Sequence, residues 1–349
     1  MDSQSRKRTR SGEDGKGHYD FNLGENLTRR YKILDKMGEG TFGQVLECWD
    51  RERQDYVAVK VVRSIPKYRD AAMMEINILE FLGKHEDSDM HCVQIRSWFE
   101  YNNHVCIVFE KLGPSLYDFQ RKNNRCPYHI DLVKEFGRQL LESVAYVHDL
   151  KLVHTDLKPE NILLVSSEYV RISSRYNGRW EPKESKIKLI DFGSSIFEDE
   201  HHSSIVSTRE YRAPEVILGL GWSYPCDIWS VGCILFELCT GKSLFNTHDN
   251  LEHLAMMERV LGPLPTHMAE RGSQGGAKKY FKRERLNWPE RAVSRESIRT
   301  VKKLDYLEVL VDEHVRHHRT FVNLLYKLLN IDQSERITAR QALEHPFFH

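Results

Sequence analysis

The sequence predicts an α+β fold in two lobes: a small antiparallel β-sheet with one main helix, then a larger, mostly α-helical part. A chain of 349 residues is too long for one ordinary hydrophobic core, so two packed lobes are expected. Strand-like runs rich in β-branched residues dominate residues 31–112, whereas apolar residues recur at helical spacing in much of residues 113–348. We therefore place the boundary between the lobes at residues 112 and 113.

Composition restricts the possible partners and compartments. The chain has 51 basic and 51 acidic residues, so its net charge does not attract nucleic acid. No direct nucleic-acid binding is therefore expected. No apolar run approaches the ~20 residues of a membrane span, so no membrane association is expected. Seven scattered cysteines without a C-x-x-C pattern suit a reducing compartment.

The N-terminal residues 1–17 are polar and lack periodicity, so we expect a disordered basic tail, followed by a lead-in segment at 18–30. The tail contains Arg6-Lys7-Arg8-Thr9-Arg10. This run is equally typical of a nuclear-import signal and of a solvated basic tail, and the sequence does not decide between them.

A glycine-rich motif, G-x-G-x-x-G, begins at Gly38. In dinucleotide-binding folds a helix follows such glycines, but here strand-forming residues follow, from Val45 to Lys60. The context favours a hairpin whose backbone N–H groups fold over nucleotide phosphates. Residues 110–113 break the next strand pattern and are predicted to be a hinge. The predicted nucleotide contacts are Met37, Gly38, Glu39, Gly40, Gly43, Val45, Ala58, Lys60, Glu110, Leu112 and Leu163.

Lys60 ends an apolar strand, where an ammonium group is costly without a partner. A helix predicted over residues 69–81 offers Glu75 and Glu80 as candidates. We choose Glu75 because it stands among Met74, Ile76 and Leu79, where a solvent-exposed acid is not expected.

The segment His154–Asn161 reads as a loop for phosphoryl transfer, a reaction that requires mainly positioning and charge stabilisation. Asp156 would orient the proton of an attacking hydroxyl, Lys158 would neutralise charge on the transferred phosphate, and Asn161 would bind a metal ion. The alternative is a polar turn between two apolar strands.

Asp191 follows a short apolar strand and precedes Phe192-Gly193, so its carboxylate, with Asn161, is predicted to bind Mg²⁺. Upstream, the polar residues 165–186 are expected to form an inserted hairpin with a turn at Asn177-Gly178.

Residues 207–215 are predicted to close an activation segment in which Thr208 faces the peptide hydroxyl. Glu215 is expected to pair with a buried Arg336, a contact retained for architecture. The almost wholly apolar run from Pro225 to Leu238 predicts a central, buried helix.

These landmarks span Tyr31 to Phe348, and their order resembles that of the protein kinases. Residues 252–259 contain the sequence LAMMER, so the chain resembles the LAMMER family, the CDC-like kinases, and most of all its plant members. The resemblance implies a dual-specificity kinase that uses ATP and Mg²⁺ to transfer the γ-phosphate to serine and threonine, with autophosphorylation extending to tyrosine. It also implies a monomer that acts in the nucleus, or also in the cytoplasm, on serine/arginine-rich splicing factors and so regulates pre-mRNA splicing.

The LAMMER stretch is predicted to lie in a helix over about residues 250–261, before an insert at about 263–300. Leu254, Met257 and Leu261 would pack inward, with Glu258 and Arg259 on the opposite face, which indicates a packing role more than a chemical one. Thr155 stands where many kinases have an arginine that pairs with an activation-segment phosphate, and the LAMMER family shares this substitution. We therefore expect activity without such a phosphate, with Arg212 bonded instead to a main-chain carbonyl or a tyrosine.

Three alternatives remain. A pseudokinase scaffold would bind partners without turnover, although such scaffolds usually lack one or more of the residues proposed above. A small-molecule kinase fits poorly with a full activation segment ending in Ala213-Pro214-Glu215. A metal site at His314, His317 and His318 is weaker than a solvated helix face.

Overall fold

The computed structural model describes residues 17–85, 91–172, 179–200 and 203–349. The predicted disordered tail therefore lies outside the described residues except for Gly17, as does the predicted turn at Asn177-Gly178. Two compact units are present: the first falls within Met1–Asp87 and Val93–Leu112, and the second within Ser88–Cys92 and Gly113–His349.

The first unit is built on one antiparallel sheet of five strands: β1 (Tyr31–Glu39), β2 (Gly43–Asp50), β3 (Asp55–Val62), β4 (Ile95–Tyr101) and β5 (His104–Glu110). Their order in the sheet is β1-β2-β3-β5-β4. Alternating buried residues along β2 and a nearly continuous apolar run in β3 place one face of the sheet on a core of Ile33, Leu46, Val59 and Val108.

One long helix, α1 (Pro66–Lys84), belongs to this unit. It begins three residues before the predicted start because Pro66, whose fixed φ suits the first helical turn, initiates it. Its buried face packs on the other side of the sheet, where Ala72 and Ile76 meet Val62, Val105 and Ile107.

The lead-in segment also lies against this sheet. The buried side chain of Gln44 in β2 reaches the main-chain oxygen of Tyr19, and the Tyr19 ring contacts that of Tyr101 edge-on at 5.9 Å. The lead-in residues thereby extend the core of the first unit.

The second unit is mostly helical. Its helices are α2 (Leu116–Lys122), α3 (Ile130–Asp149), α4 (Pro214–Leu218), α5 (Pro225–Thr240), α6 (Asn250–Leu261), α7 (Thr266–Gln274), α8 (Arg295–Lys303), α9 (Leu307–Leu310), α10 (His318–Leu328) and α11 (Ala339–Leu343). Its short strands are β6 (Leu152–Val153), β7 (Ile162–Leu164), β8 (Tyr169–Arg171), β9 (Trp180–Pro182), β10 (Ile187–Leu189), β11 (Ile196–Phe197), β12 (Phe281–Lys282) and β13 (Arg285–Leu286). Strands β8 and β9 pair with each other antiparallel inside the predicted insertion.

Helix α5 is buried from Cys226 to Cys239, as its all-round apolar sequence predicts. Helix α6 departs from the prediction, since it is buried on nearly every side and not on one face. The reason is that α8 and β13 both pack against it and cover the surface expected to meet water. Among the described residues, no helix combines the length and the apolar character that crossing a membrane requires.

The pair predicted between Glu215 and Arg336 is present and fully buried, with both side chains 0% exposed. Two parallel N–H···O bonds of 2.7 and 2.9 Å join the guanidinium to the carboxylate. Arg336 also donates to the main-chain oxygens of Asn330 and Pro225. The pair thus ties α4 to the start of α5 and to the chain before α11.

We predict that Glu215→Ala lowers the free energy of unfolding by about 3–5 kcal/mol, because it leaves the Arg336 charge buried without its counter-ion. Asp149→Ala is the control, since it breaks an exposed pair with Arg340 and should cost about 1 kcal/mol or less. Urea denaturation of both variants measures the difference. Equal, small losses would contradict the architectural role of the pair.

Candidate active site

Two pairs of short strands hold the two loops that carry the predicted chemistry. Strand β6 pairs with β11, and β7 pairs with β10, both antiparallel. The loop 154–161 runs from β6 to β7, and the loop 190–195 runs from β10 to β11. Because the strands pair at both ends of the two loops, Asp156, Asn161 and Asp191 are brought to the same edge of the second unit.

A buried carboxylate on α5, Asp227, fixes the start of the first loop. Its oxygens accept the backbone N–H groups of His154 and Thr155 at 2.8 and 2.9 Å, and His148 Nε2 lies 2.9 Å away. Burial by itself raises the pKa of the Asp227 carboxyl, but the hydrogen bonds and charge of His148 and His154 outweigh it, so the pKa lies below its ordinary value. Asp227 therefore stays ionised and holds the loop.

The backbone that Asp227 holds is unusual. Thr155 has φ = +70°, a left-handed conformation that a β-branched residue rarely adopts. A hydrogen bond from its hydroxyl to the main-chain oxygen of Ser194 (2.9 Å) links this turn to the neighbouring loop. The strained turn presents the next residue, Asp156, at the surface of the site.

Asp156 forms a compact polar cluster with Lys158 and Thr208. Its carboxylate accepts the Lys158 ammonium at 2.6 Å, and both the Thr208 hydroxyl and backbone N–H, at 2.7 and 3.0 Å. Lys158 also donates to the Thr208 hydroxyl at 3.1 Å. The carboxylate, the ammonium and the activation segment are thus joined at one point, where a substrate hydroxyl would have to enter.

Asn161 and Asp191 are the predicted metal ligands. Asn161 Nδ2 donates to the main-chain oxygen of Asp156 at 2.9 Å, which turns the amide oxygen away from the loop and leaves it available to a cation. The backbone N–H of Ile190 donates to the main-chain oxygen of Asn161 at 2.9 Å, so the two loops are tied beside Asp191. Asp191 itself has φ = +63°, and the side chain of Phe192 after it is fully buried. An amide and a carboxylate oxygen suit Mg²⁺.

In the first unit, Lys60 on β3 meets Glu75 on α1. The ammonium lies 2.8 Å from both carboxylate oxygens, and the two side chains are 16% and 5% exposed. Glu80, the competing candidate, is exposed on the same helix. The choice of Glu75 as the partner of Lys60 is confirmed.

The predicted phosphate-binding hairpin joins β1 to β2. Gly40 N–H donates to the main-chain oxygen of Gly43 at 2.9 Å, and a side chain at Gly43 would meet the main-chain oxygen of Val61 at 2.2 Å. Gly43 is therefore required by packing. A Cβ added at Gly38 or Gly40 would have no described atom within 4 Å, so packing does not require glycine at these two positions. Close approach of a ligand to the backbone explains these glycines better.

The remaining predicted nucleotide contacts are placed as follows. Met37 lies on β1 and is 41% exposed, and Glu39 of the same strand pairs with Lys36. Glu110 ends β5, which pairs with β3 beside Ala58, while Val45 faces Lys60 across β2 and β3. Leu112 is the last residue of the first unit, and Leu163 lies in β7 of the second.

Arg212 is engaged by main-chain oxygens, as expected. Its guanidinium donates to the carbonyl oxygens of Val206 and Ser207 at 2.8 and 2.7 Å. Burial lowers its pKa. Arg209 donates to Asn250 at 2.5 Å. Both guanidinium groups of this part of the segment therefore already have neutral partners.

A second carboxylate cluster lies close to Asp156. The pKa values of Glu160 and Glu237 are both raised chiefly by burial, and the charge of Glu160 further raises the pKa of Glu237. Glu210 raises both. One oxygen of Glu160 is buried and finds no hydrogen-bond partner among the described residues, whereas Glu237 accepts the Tyr211 hydroxyl at 2.7 Å. Such a group of acids is stabilised by an incoming cation.

Sequence reasoning missed Asp227 and Glu237. Both are acids in the otherwise apolar helix α5, and a charged residue in a buried helix must have a partner. That signal marks the two residues as important but does not identify the partners, which lie far away in the chain.

The metal alternative at His314, His317 and His318 has no support from the geometry. His318 Nε2 lies against the main-chain oxygens of Glu308 and Val311. Within the described ranges, no group of three or more His, Cys, Asp or Glu residues could hold a metal ion.

Comparisons with known proteins agree with this geometry. The family model described as the protein kinase domain matches residues 31–348. The serine/threonine-protein kinase AFC3 of Arabidopsis thaliana is 63% identical over 345 residues, covering 96% of this chain and 86% of the relative. The human dual specificity protein kinase CLK1 is 48% identical, covering 98% of this chain and 71% of the relative.

Among solved structures, the kinase domain of PF14_0431 superposes with a TM-score of 0.90 at 40% identity, covering 96% of this chain and all of that one. The antiparallel sheet, the helical second unit and the order of the motifs agree with this likeness. The chain therefore belongs to the protein kinase family, in its LAMMER or CDC-like group, and is a serine/threonine-type protein kinase.

Proposed function

We propose that this kinase uses ATP and Mg²⁺ to phosphorylate serine and threonine in arginine-rich protein segments, with autophosphorylation extending to tyrosine. Serine/arginine-rich splicing factors in the nucleus are the proposed substrates, which makes the kinase a regulator of pre-mRNA splicing. The observation that carries the arginine preference is the cluster of Glu160, Glu210 and Glu237 near Asp156.

The residues of each unit have separate tasks in this mechanism. When bound, Mg²⁺ supplies charge stabilisation to the phosphates of ATP, and the oxygens of Asn161 and Asp191 would hold it. Lys60, oriented by both oxygens of Glu75, would bind phosphate oxygens. Asp156 would accept a hydrogen bond from the substrate hydroxyl while still bonded to Thr208, and Lys158 beside it would offset charge on the transferred group.

A pseudokinase is the less favoured alternative. The Lys60–Glu75 pair is formed, and Asp156, Asn161 and Asp191 are all present in loops held by paired strands. Each residue to which the mechanism assigns a role therefore carries the functional group that the role requires.

A basic substrate residue would complete the acid cluster. A guanidinium could hydrogen-bond to the partly exposed carboxylate of Glu160 and would also be attracted by the charge of Glu237. Bonds between charged groups in a half-buried site are stronger than those at the surface. An acidic residue at the same place would add to the repulsion that already raises the pKa of both acids.

We predict that Glu160→Gln lowers kcat/KM for a serine peptide with flanking arginines by about 10-fold, as loss of one charged hydrogen bond implies. Glu237→Gln should lower it less, because the buried Glu237 carboxylate attracts the guanidinium without bonding to it. The same peptide with alanines in place of the arginines should change by no more than about twofold, since it never uses the cluster. Initial-rate assays on the two peptides measure the selectivity, with the exposed Glu344→Gln as the control.

The pH dependence gives a second readout of the same cluster. Because burial raises the pKa of Glu160 and Glu237, both acids become neutral at a less acidic pH than ordinary glutamates. The preference for arginine should therefore be greatest at neutral pH and decline as the pH falls. Equal losses on both peptides, or a preference for acidic flanks, would contradict the assignment.

The contacts of the activation segment also bear on how the kinase is regulated. A phosphate orders an activation segment when unpaired arginines can receive it. Here Arg212 is bonded to two carbonyl oxygens and Arg209 to Asn250, while Thr155 offers no charge. The neutral hydroxyl of Thr208 already links the segment to Asp156. We infer that the kinase is active without a phosphate on this segment.

We predict that Thr208→Ala lowers kcat by roughly 10-fold through loss of two hydrogen bonds, whereas Thr208→Ser retains the activity. Thr208→Glu should not restore it, because a carboxylate beside Asp156 is repelled. Phosphatase treatment, checked by mass spectrometry and followed by a brief initial-rate assay, should leave most of the rate. Collapse of the rate, with recovery by slow autophosphorylation, would overturn this account.

A further inference from the structure

The insert after α6 carries a strong positive charge in an otherwise balanced protein. Residues 278–303 contain ten lysines and arginines against three glutamates, a net charge of +7. The whole chain has 51 basic and 51 acidic residues, so the remainder carries −7. A concentration of charge in 26 residues is a feature that the phosphoryl-transfer chemistry described above does not use.

The centre of this charge is the hairpin of β12 and β13 with the turn before it. Five of its cations form what we call the basic insert patch: Lys278, Lys279, Lys282, Arg283 and Arg285. All five are exposed, and none forms an ion pair with a carboxylate of the described residues, although Glu284 is a neighbour in sequence. Unpaired cations grouped on a hairpin create a positive potential that attracts anions.

Helix α8 adds to this potential. Arg295, Arg299 and Lys302 recur at intervals of four and three residues and are exposed, whereas Ser297 and Val301 are buried. The helix therefore turns its basic side to solvent. Both α8 and β13 pack against α6.

A short hydrogen-bond path connects the patch to the catalytic loop. The hydroxyl of Tyr280, which follows Lys279, lies 3.0 Å from Asn250 Nδ2, and Asn250 Oδ1 accepts from Arg209 at 2.5 Å. Arg209 follows Thr208, whose hydroxyl reaches Asp156 at 2.7 Å. The patch therefore lies beside the activation segment, within reach of an extended peptide that occupies the active site.

We propose that the basic insert patch binds a phosphoserine of the protein substrate, so that the kinase prefers a segment it has already phosphorylated once. The phosphate comes from the enzyme's own reaction: each transfer creates a dianionic group close to the patch. Clustered Lys and Arg side chains are suited to such a group. The next serine of the same segment is then held at Asp156, which favours successive transfers on one substrate.

The surrounding charge favours a short phosphorylated segment over a long polyanion. The remainder of the chain carries −7, so a nucleic acid extending past the patch would be repelled by it. A phosphorylated peptide segment carries only one or a few phosphates, so the patch can bind it without bringing further anionic charge against the rest of the chain. The proposal depends on the kinase activity and not on the arginine preference proposed above.

The test uses peptides with one acceptor serine and a second position, on either side, that is serine, alanine or phosphoserine. At about 3.3 Å per extended residue, spacings of about three to eight residues sample distances of about 10–26 Å from the acceptor serine. For the wild-type kinase we expect one or more spacings at which phosphoserine raises kcat/KM by about three- to tenfold through a lower KM, as a few exposed charge pairs imply. Added salt should reduce this advantage.

The variant that decides the proposal is the triple change Lys282→Gln, Arg283→Gln and Arg285→Gln. It should abolish the advantage of the phosphoserine peptides and leave kcat/KM for the unphosphorylated serine peptide unchanged. The matched control neutralises three exposed cations outside the insert, Lys122, Arg319 and Lys327, and should keep the advantage.

Three outcomes would overturn the proposal. The wild-type enzyme could show no phosphoserine advantage at any spacing, or the triple variant could keep it. A single-stranded RNA could bind the wild-type protein through the patch while the phosphoserine peptides do not. Peptides without flanking arginines separate this result from the arginine preference, because Glu160→Gln should leave the phosphoserine advantage intact.

Discussion

The active site depends on a single buried carboxylate. Asp227 accepts two consecutive backbone N–H groups, those of His154 and Thr155, and also contacts the side chain of His148. A left-handed threonine persists only where its surroundings determine it. The positions of Asp156, Lys158 and Thr208 all follow from that turn, because each is connected to it within a few bonds or one hydrogen bond.

The same helix serves both catalysis and recognition. One end of α5 supplies Asp227 to the catalytic loop, and the other supplies Glu237 to the acid cluster, while Arg336 ties its first residue to Glu215. Because α5 is buried along nearly its whole length, the spacing of these groups is rigid. Substrate positioning and charge recognition are thereby set by one element of the core.

Patterns among neighbouring residues predicted individual helices and the partner of Lys60. The apolar run from Pro225 to Leu238 predicted the buried helix α5, and Glu75 was identifiable because Ile76 and Leu79 beside it are apolar and buried, although Met74 is exposed. What the sequence could not provide were partners distant in the chain. The pairing of Asp227 with residues 72 and 73 positions away depends on tertiary packing, as does the burial of α6, whose second face is covered by the insert.

Asp227→Asn tests the central claim most directly. The amide keeps the shape but turns a donor toward a backbone N–H, so the turn and Asp156 should shift. We expect kcat to fall by about 10²-fold, as misplacement of a reacting group by about 1 Å implies, with unchanged ATP affinity and a folded protein. Cys226→Ala, a buried neighbour on the same helix, controls for general loss of packing and should retain the rate. An Asp227→Asn enzyme with full kcat would contradict the account.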